Sequence, residues 1–130
     1  AFLYVDKEYY DPNRIICKWC SEDDVISMMA LGDYGLIIRE NTITNEVASP
    51  VKFPEYLYAG LKVIISEKIG DYNLFVEENG CGILDTEIKV SLNKLEDQDK
   101  AIERKLAIEY FSKNENIIKS KYERLLKKCS

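Results

Sequence analysis

The sequence predicts an α/β domain in which a mostly parallel, Rossmann-like sheet is flanked by helices. Two short apolar runs, 34–38 and 61–65, have the branched composition of buried parallel strands. Segments with helix start and stop signals alternate with such runs, as in strand-helix-strand crossovers. At 130 residues the chain has the length of a single domain, which we assign to residues 1–130.

The composition excludes several classes of partner and location. Hydrophobic residues make up 46% and charged residues 32% of the chain, as in soluble globular proteins. A net charge of −5 without a long basic run indicates that nucleic acid is not a partner. No apolar stretch reaches the roughly 18 residues of a membrane span, and no signal-peptide pattern opens the chain. We therefore expect a cytoplasmic protein, or one attached peripherally to the inner face of the membrane.

Histidine is absent, which limits the chemistry that the chain can perform. Serine or cysteine nucleophiles paired with histidine, and most catalytic zinc sites, are excluded. Of the four cysteines, only Cys17 and Cys20 form a close pair. A redox dithiol or half of a zinc site is one interpretation of this pair, whereas reduced, partly buried thiols are the favoured one. We predict no metal and no cofactor.

The first part of the chain is predicted to contain two strands and a helix. Residues 2–5 form a short apolar run, and a second strand is expected to begin at 15–17. Ser21 is a suitable N-cap with Asp24 at the capping-box position, and Gly32 ends the helix that they start. The apolar stripe of this helix, expected to be buried, consists of Val25, Met28, Met29 and Leu31.

A third strand and a loop follow. Residues 34–38 are apolar on both faces of a strand, and Arg39 marks its C-terminal end. The polar residues 40–48 are expected to form a loop over the edge of the sheet.

The central helix has signals at both ends. Ser49 is a good N-cap, and Pro50 suits the first turn, where its missing N–H costs nothing. Pro54 is expected to bend the first turns or to delay the regular helix. Gly60 stops the helix in the left-handed conformation, directly before the strand at 61–65.

The last part of the chain is predicted to be mainly helical. Asp71 is expected to cap a short helix through Glu78, followed by a strand at 83–84 and an edge strand or extended link at 88–92. From about Asp97 the chain becomes helical, with a break at Ser112 before a last helix. The apolar positions of the first of these two helices include Ile102, Leu106, Ile108 and Phe111.

The start of the central helix is the predicted functional site. Unpaired backbone N–H groups and the helix dipole make such an end a seat for phosphate. Lys52 and Glu55, three residues apart, share one face there; a cation suits a diphosphate, and a carboxylate suits sugar hydroxyls. Because ligands of open parallel sheets sit at the carboxyl ends of the strands, Arg39 and the segments 46–55 and 66–71 are expected to converge.

Three stretches of this region resemble a known family. They are Asp33-Tyr34-Gly35-Leu36 followed by Arg39, Ser49-Pro50-Val51-Lys52, and Glu55-Tyr56-Leu57-Tyr58-Ala59-Gly60-Leu61. This pattern is similar to that of the donor-binding half of family-4-like glycosyltransferases of the two-Rossmann-domain (GT-B) type. The resemblance covers residues 2–126, and its central part is much more specific than a lone glycine motif.

The resemblance implies a nucleotide-sugar site around the central helix. Glu55 matches the carboxylate that holds the ribose hydroxyls. Ser49, Val51 and Lys52 are expected to present main-chain amides to the diphosphate, and Lys52 also its ammonium group. The alternatives are an ordinary ion pair between Lys52 and Glu55 within the helix, and a purely capping role for Ser49.

Two further residues are implied less directly. Arg39 matches a recurring arginine that faces the phosphates or braces the loop, with a surface ion pair to Glu40 as the alternative. Many relatives carry a second glutamate eight positions before the one matched by Glu55, where it meets the donor sugar. That position is Val47 here, so Glu46 is the nearest carboxylate for this role.

Compared with the family, the first βα unit of the donor domain has no counterpart before Phe2. We therefore expect a partial donor domain, lacking that unit and the N-terminal acceptor domain of its parent enzyme. The implied function is binding of a UDP- or GDP-sugar in a retaining glycosyltransferase of the hexosyltransferase type, in polysaccharide or glycoconjugate biosynthesis. Alone, the chain is expected to bind nucleotide weakly and to lack transferase activity. A second copy pairing with the incomplete sheet would give a homo-oligomer.

A non-enzymatic α/β module, either receiver-like or a protein-interaction domain, is the alternative function. Asp6, Ser66 and Lys68 follow predicted strands as in such modules, but the acidic cluster of a magnesium-dependent phospho-acceptor is missing from the sequence. The basic face of the last predicted helix is interpreted as a solvated surface, with contact to an acidic membrane as its alternative.

Overall fold

The computed structural model describes residues 8, 10–47, 50–88 and 92–112. In chain order the elements are α1 (Glu22–Met29), β1 (Tyr34–Ile37), α2 (Ile43–Glu46), α3 (Lys52–Tyr58), β2 (Lys62–Ile65), α4 (Tyr72–Asn79), β3 (Gly82–Leu84), a 3-10 turn (Asp85–Glu87) and α5 (Asp97–Phe111). The described strands form one parallel sheet in the order β1-β2-β3. The predicted α/β class with a parallel sheet flanked by helices is confirmed. The predicted strand at 2–5 and the predicted last helix lie outside the described residues.

The hydrophobic core lies between β2 and the helices α3, α4 and α5. At its centre Phe53 of α3 stacks on Tyr72 of α4, with ring centroids 4.1 Å apart. Phe111, the last residue of α5, meets the same two rings edge-on at 6.1 and 6.2 Å. These aromatic contacts tie the N-terminal ends of α3 and α4 to the C-terminal end of α5.

Two glycines allow close approach of a helix. A Cβ atom at Gly35 of β1 would lie 2.3 Å from the ring of Tyr56, so only glycine admits this ring against the strand. Gly60 has the left-handed φ of 85° that the sequence predicts at the end of α3, and a Cβ atom there would lie 3.0 Å from Arg104 of α5.

The N-terminal predictions are partly wrong. Ser21 caps α1 as expected, because its side chain accepts from the Asp24 backbone N–H and its hydroxyl donates to the Asp24 carboxylate. No strand forms at 15–17, where Ile16 is 83% exposed and no described strand supplies a partner. The buried residue of α1 is Ile26. The four residues of the predicted stripe are not in the core. Leu31 is exposed, and Val25, Met28 and Met29 line an open groove beside Trp19.

β1 is buried on one face only, contrary to the prediction for 34–38. Gly35 and Ile37 point to α3 and are buried, whereas Leu36 and Ile38 are exposed. The reason is that α3 packs on one face of β1, with the Tyr56 ring against Gly35, whereas the described helices leave Leu36 and Ile38 on the other face 60% and 53% exposed. In the segment 88–92, Ile88 and Leu92 are outside any strand, and the residues between them lie outside the described part of the chain.

The start of α4 differs from the prediction. Asp71 makes no capping hydrogen bond through its side chain. Asn73 acts instead, since its Oδ1 accepts from the Ile69 N–H at 2.6 Å and its Nδ2 donates to the Ser66 carbonyl at 2.8 Å. Gly80 ends the helix in the left-handed conformation. The side chain of Asn73 thus fixes the loop between β2 and α4.

The predicted apolar stripe of α5 is confirmed at two of its four positions. Leu106 and Phe111 pack against the core, whereas Ile102 and Ile108 are exposed. The fully buried residues of this helix are Glu103 and Ala107. Glu103 is polar in either protonation state, so hydrophobic periodicity could not identify its position as buried.

Candidate functional site

The carboxyl edge of the sheet carries most of the predicted site. The end of α3 leads through Gly60 directly into the start of β2, so α3 runs antiparallel to the strands and begins at their carboxyl ends. Ser66 joins the ends of two strands there. Its hydroxyl accepts from the Arg39 N–H at 2.7 Å and donates to the Ile37 carbonyl at 3.3 Å, to which its own N–H also donates at 3.0 Å.

The first turn of α3 offers fewer free amides than the sequence suggests. The regular helix begins at Lys52, after a turn in which the Phe53 N–H donates to the Pro50 carbonyl at 3.1 Å. Pro54 falls within the first turn of the helix, where its missing N–H breaks no helical bond. Val51 is in helical conformation and exposed, with no side-chain cap, and Ser49 lies outside the described residues. Ligand binding here would therefore depend on side chains more than on main-chain donors.

The predicted pair of side chains does meet on one face. Lys52 Nζ lies 2.8 Å from Glu55 Oε2, and the two side chains are 54% and 16% exposed. Glu55 is thus not sealed in the interior, and both groups reach the solvent at the carboxyl edge. This is the intrahelical ion pair that the sequence left open as an alternative, and in the structure it is formed.

Tyr56, the residue after Glu55, fixes the position of this turn against β1. Its hydroxyl donates to the Leu36 carbonyl at 3.3 Å, and its ring covers Gly35. Burial raises the pKa of Tyr56, Lys52 opposes the shift, and Glu55 adds to it. The phenol therefore stays neutral near pH 7 and remains a hydrogen-bond donor.

A second ion pair crosses the edge of the sheet. Glu46, at the end of α2, lies 3.6 Å from Lys68 Nζ in the loop after β2, and both side chains are substantially exposed. Lys68 has a φ of 58°, which is unusual for a residue with a Cβ atom. Sequence reasoning did not select Lys68 as a site residue. The sequence placed Lys68 within the segment 66–71 expected at this edge, and among the residues that support the receiver-like alternative.

The structure thus brings the predicted residues to one edge in two separate pairs. Arg39, whose side chain is exposed, is attached to the strand ends through its backbone. Within the described part of the chain, no group of three or more potential metal ligands is found. Across the same residues, none of the helices has the length and apolar character needed to cross a bilayer.

The fold and the site define an α/β domain with charged side chains at the carboxyl edge of a parallel sheet. Comparison with known proteins gives no match: no family model, no curated protein and no solved structure is similar to this chain.

Proposed function

We propose that this chain is the nucleotide-sugar binding domain of a retaining glycosyltransferase, with a UDP- or GDP-sugar as its ligand. The observation that carries the proposal is the Lys52–Glu55 pair in the first turn of α3, with its lysine exposed and its glutamate partly buried, at the edge where parallel sheets bind ligands. The resemblance of the motif around this pair to the family-4-like enzymes supports the same ligand.

Binding would proceed by an exchange of partners. Without ligand, the ammonium group of Lys52 neutralises the carboxylate of Glu55 at 2.8 Å. A diphosphate offers Lys52 a stronger anionic partner, and ribose offers Glu55 two hydroxyl donors. The ion pair on an exposed helix face is worth only about 0.2–0.5 kcal/mol, so little is lost when it opens.

The proposed role in transfer is electrostatic. As the bond between sugar and diphosphate breaks, negative charge grows on the diphosphate and the anomeric centre becomes cation-like. Lys52, and Arg39 just after β1, are two cations at this edge that would stabilise the departing diphosphate. Neither role needs a histidine, which the chain lacks.

The proposal is tested by titrating the chain with UDP and with GDP at millimolar concentration, followed by NMR chemical shifts. We expect one of them to shift amide signals of α3 and of the loop after β2. Glu55→Gln should weaken that binding by about tenfold or more, because charged hydrogen bonds to the ribose are lost. The 2′,3′-dideoxy analogue should bind the natural chain and Glu55→Gln equally.

Two substitutions on the exposed face of α5, Lys105→Met and Glu109→Gln, serve as controls of matched charge and should leave binding unchanged. Lys52→Met should weaken binding of the diphosphate but not of the free nucleoside. The proposal fails if neither nucleotide shifts the signals of α3, or if binding survives both Lys52→Met and Glu55→Gln.

A further inference from the structure

The amino edge of the sheet, opposite the candidate site, holds three cations at the ends of three helices. Lys100 Nζ donates to the carbonyls of Ala30 and Gly32 after α1, at 3.2 and 2.6 Å. Arg104 donates to the Ala59 carbonyl after α3 at 3.4 Å, and Lys62 to the Gly80 carbonyl after α4 at 3.2 Å. Carbonyls at helix C-termini lack helical partners and carry partial negative charge, so cations suit them.

Two of these three cations belong to α5. Lys100 also lies 3.7 Å from Asp33 Oδ1, and the same oxygen accepts from the Leu95 N–H at 3.2 Å just before α5. The helix is therefore fastened to α1 and α3 through their backbone ends. This seam, formed by Lys62, Lys100, Glu103 and Arg104, adds polar contacts to the apolar ones that α5 makes with the core.

Glu103 is the residue of the seam whose buried side chain is poorly hydrogen-bonded. It is 2% exposed, and its Oε1 lies 3.9 Å from Lys62 Nζ, which is beyond hydrogen-bonding distance. Its Oε2 is buried and has no hydrogen-bond partner among the described residues. A carboxylate ion with so few donors is poorly compensated for its lost hydration, whereas a neutral carboxylic acid is tolerated.

The groups around Glu103 do not remove this penalty. Burial raises the pKa of Glu103 to about 7, Lys62 opposes the shift, and Asp99 adds to it. Burial also raises the pKa of Cys81, just before β3, to about 12, so this neighbour stays a neutral thiol. Among the described residues, the charged or titratable groups of the elements packed here are Lys62 of β2, Cys81 just before β3, Asp33 before β1, Tyr58 of α3, and Asp99, Lys100 and Arg104 of α5 itself.

We propose that α5 is a pH-responsive latch, which seats fully on β2 and α3 when Glu103 is uncharged and loosens when the Glu103 carboxyl ionises. The folded chain then holds a proton that the unfolded chain releases at the ordinary pKa of 4.5. The stabilisation from this proton is complete below pH 4.5 and declines as the pH rises to about 7, where it is lost. The latch does not depend on what the carboxyl edge binds.

Glu103→Gln tests the latch, because glutamine has the same shape and no charge at any pH. The measurement is amide hydrogen exchange of α5 at pH 5.5, 7 and 8.5, corrected for intrinsic rates. In the natural chain we expect the protection of α5 to fall by about tenfold over this range, with an upper bound of about 30-fold, because part of the pKa difference already acts below pH 5.5. In Glu103→Gln the protection should stay constant and should exceed that of the natural chain at pH 8.5.

Glu109→Gln removes the same charge from the exposed face of α5 and should keep the natural pH dependence. NMR titration of the Glu103 side chain in the natural chain gives a second measurement that needs no variant, with an expected midpoint near 7. A midpoint near the ordinary 4.5, or the same pH profile for Glu103→Gln and the natural chain, overturns the latch.

Discussion

Substitution of Gly35 by alanine tests how β1 and α3 are held together. The new Cβ atom would lie 2.3 Å from Cγ and Cδ2 of Tyr56 and 2.7 Å from Cδ1, well inside van der Waals contact. The strand cannot retreat easily, because Gly35 is paired with Val63 in the sheet. The ring of Tyr56 must therefore move, which also breaks the bond from its hydroxyl to the Leu36 carbonyl.

The expected loss of stability follows from these two effects. Overpacking of a filled site costs about 1–3 kcal/mol, and loss of one neutral hydrogen bond about 1 kcal/mol. We therefore expect Gly35→Ala to lower the free energy of unfolding by about 2–4 kcal/mol, a large share of the roughly 5–15 kcal/mol of a typical domain.

A double-mutant cycle with Tyr56→Ala, followed by urea unfolding and circular dichroism, separates the clash from other causes. Once the ring is gone, Gly35→Ala should cost less than about 1 kcal/mol, giving a coupling energy of about 2 kcal/mol. Gly80→Ala is the control: its left-handed φ of 62° makes alanine unfavourable, but no atom lies within 4 Å of the added Cβ, so its cost should not depend on Tyr56. An equal cost of Gly35→Ala with and without the Tyr56 ring would refute the reasoning.

Three further predictions concern single side chains. Lys100→Met should lower the free energy of unfolding, measured by urea denaturation, by about 1–3 kcal/mol, because two carbonyls after α1 lose their charged donor. The control Lys105→Met, on the exposed face of α5, should change it by less than about 0.5 kcal/mol. Ser66→Ala should cost about 1–2 kcal/mol in the same assay, because the link between the ends of β1 and β2 is lost; no change would show that the link is dispensable. Cys81 is fully buried and has a pKa of about 12, so it should resist alkylation by iodoacetamide at pH 8, whereas the partly exposed Cys17 and Cys20 should react. Peptide mass spectrometry measures the labelling of each cysteine, and early labelling of Cys81 would contradict its burial.

The elements predicted correctly are those with local signals. Ser21 caps α1 and Gly60 ends α3 because both roles depend on the residue's own hydroxyl or lack of a Cβ atom. The run at 15–17 has the composition of a strand but forms none, because a strand also needs a partner that is distant in sequence. The docking of Lys100 and Glu103 could not be predicted for a related reason: the Gly32 carbonyl and Lys62 of β2, which they contact, come near α5 only in the folded chain.

The candidate site shows the same division. Lys52 and Glu55 meet because a spacing of three residues on a helix dictates it. The contact between Glu46 and Lys68 was not predictable, since it joins α2 to the loop after β2 and depends on the positive φ of Lys68. Local spacing thus predicts pairs within one element, whereas pairs between loops require the backbone path of both.

The lysines at the two edges of the sheet differ in what their surroundings allow them to do. Lys100 is 12% exposed at its side chain and donates to two backbone carbonyls, so releasing it would leave two partly buried acceptors without their charged donor. Lys52 and Lys68 are more than half exposed, so water or an anionic ligand can reach the ammonium group of each and replace the carboxylate that it faces. Exchange of partners is therefore costly at the amino edge and cheap at the carboxyl edge. This difference supports the proposal that an anionic ligand binds at the carboxyl edge, where its phosphates can take cations from carboxylates without weakening the fold.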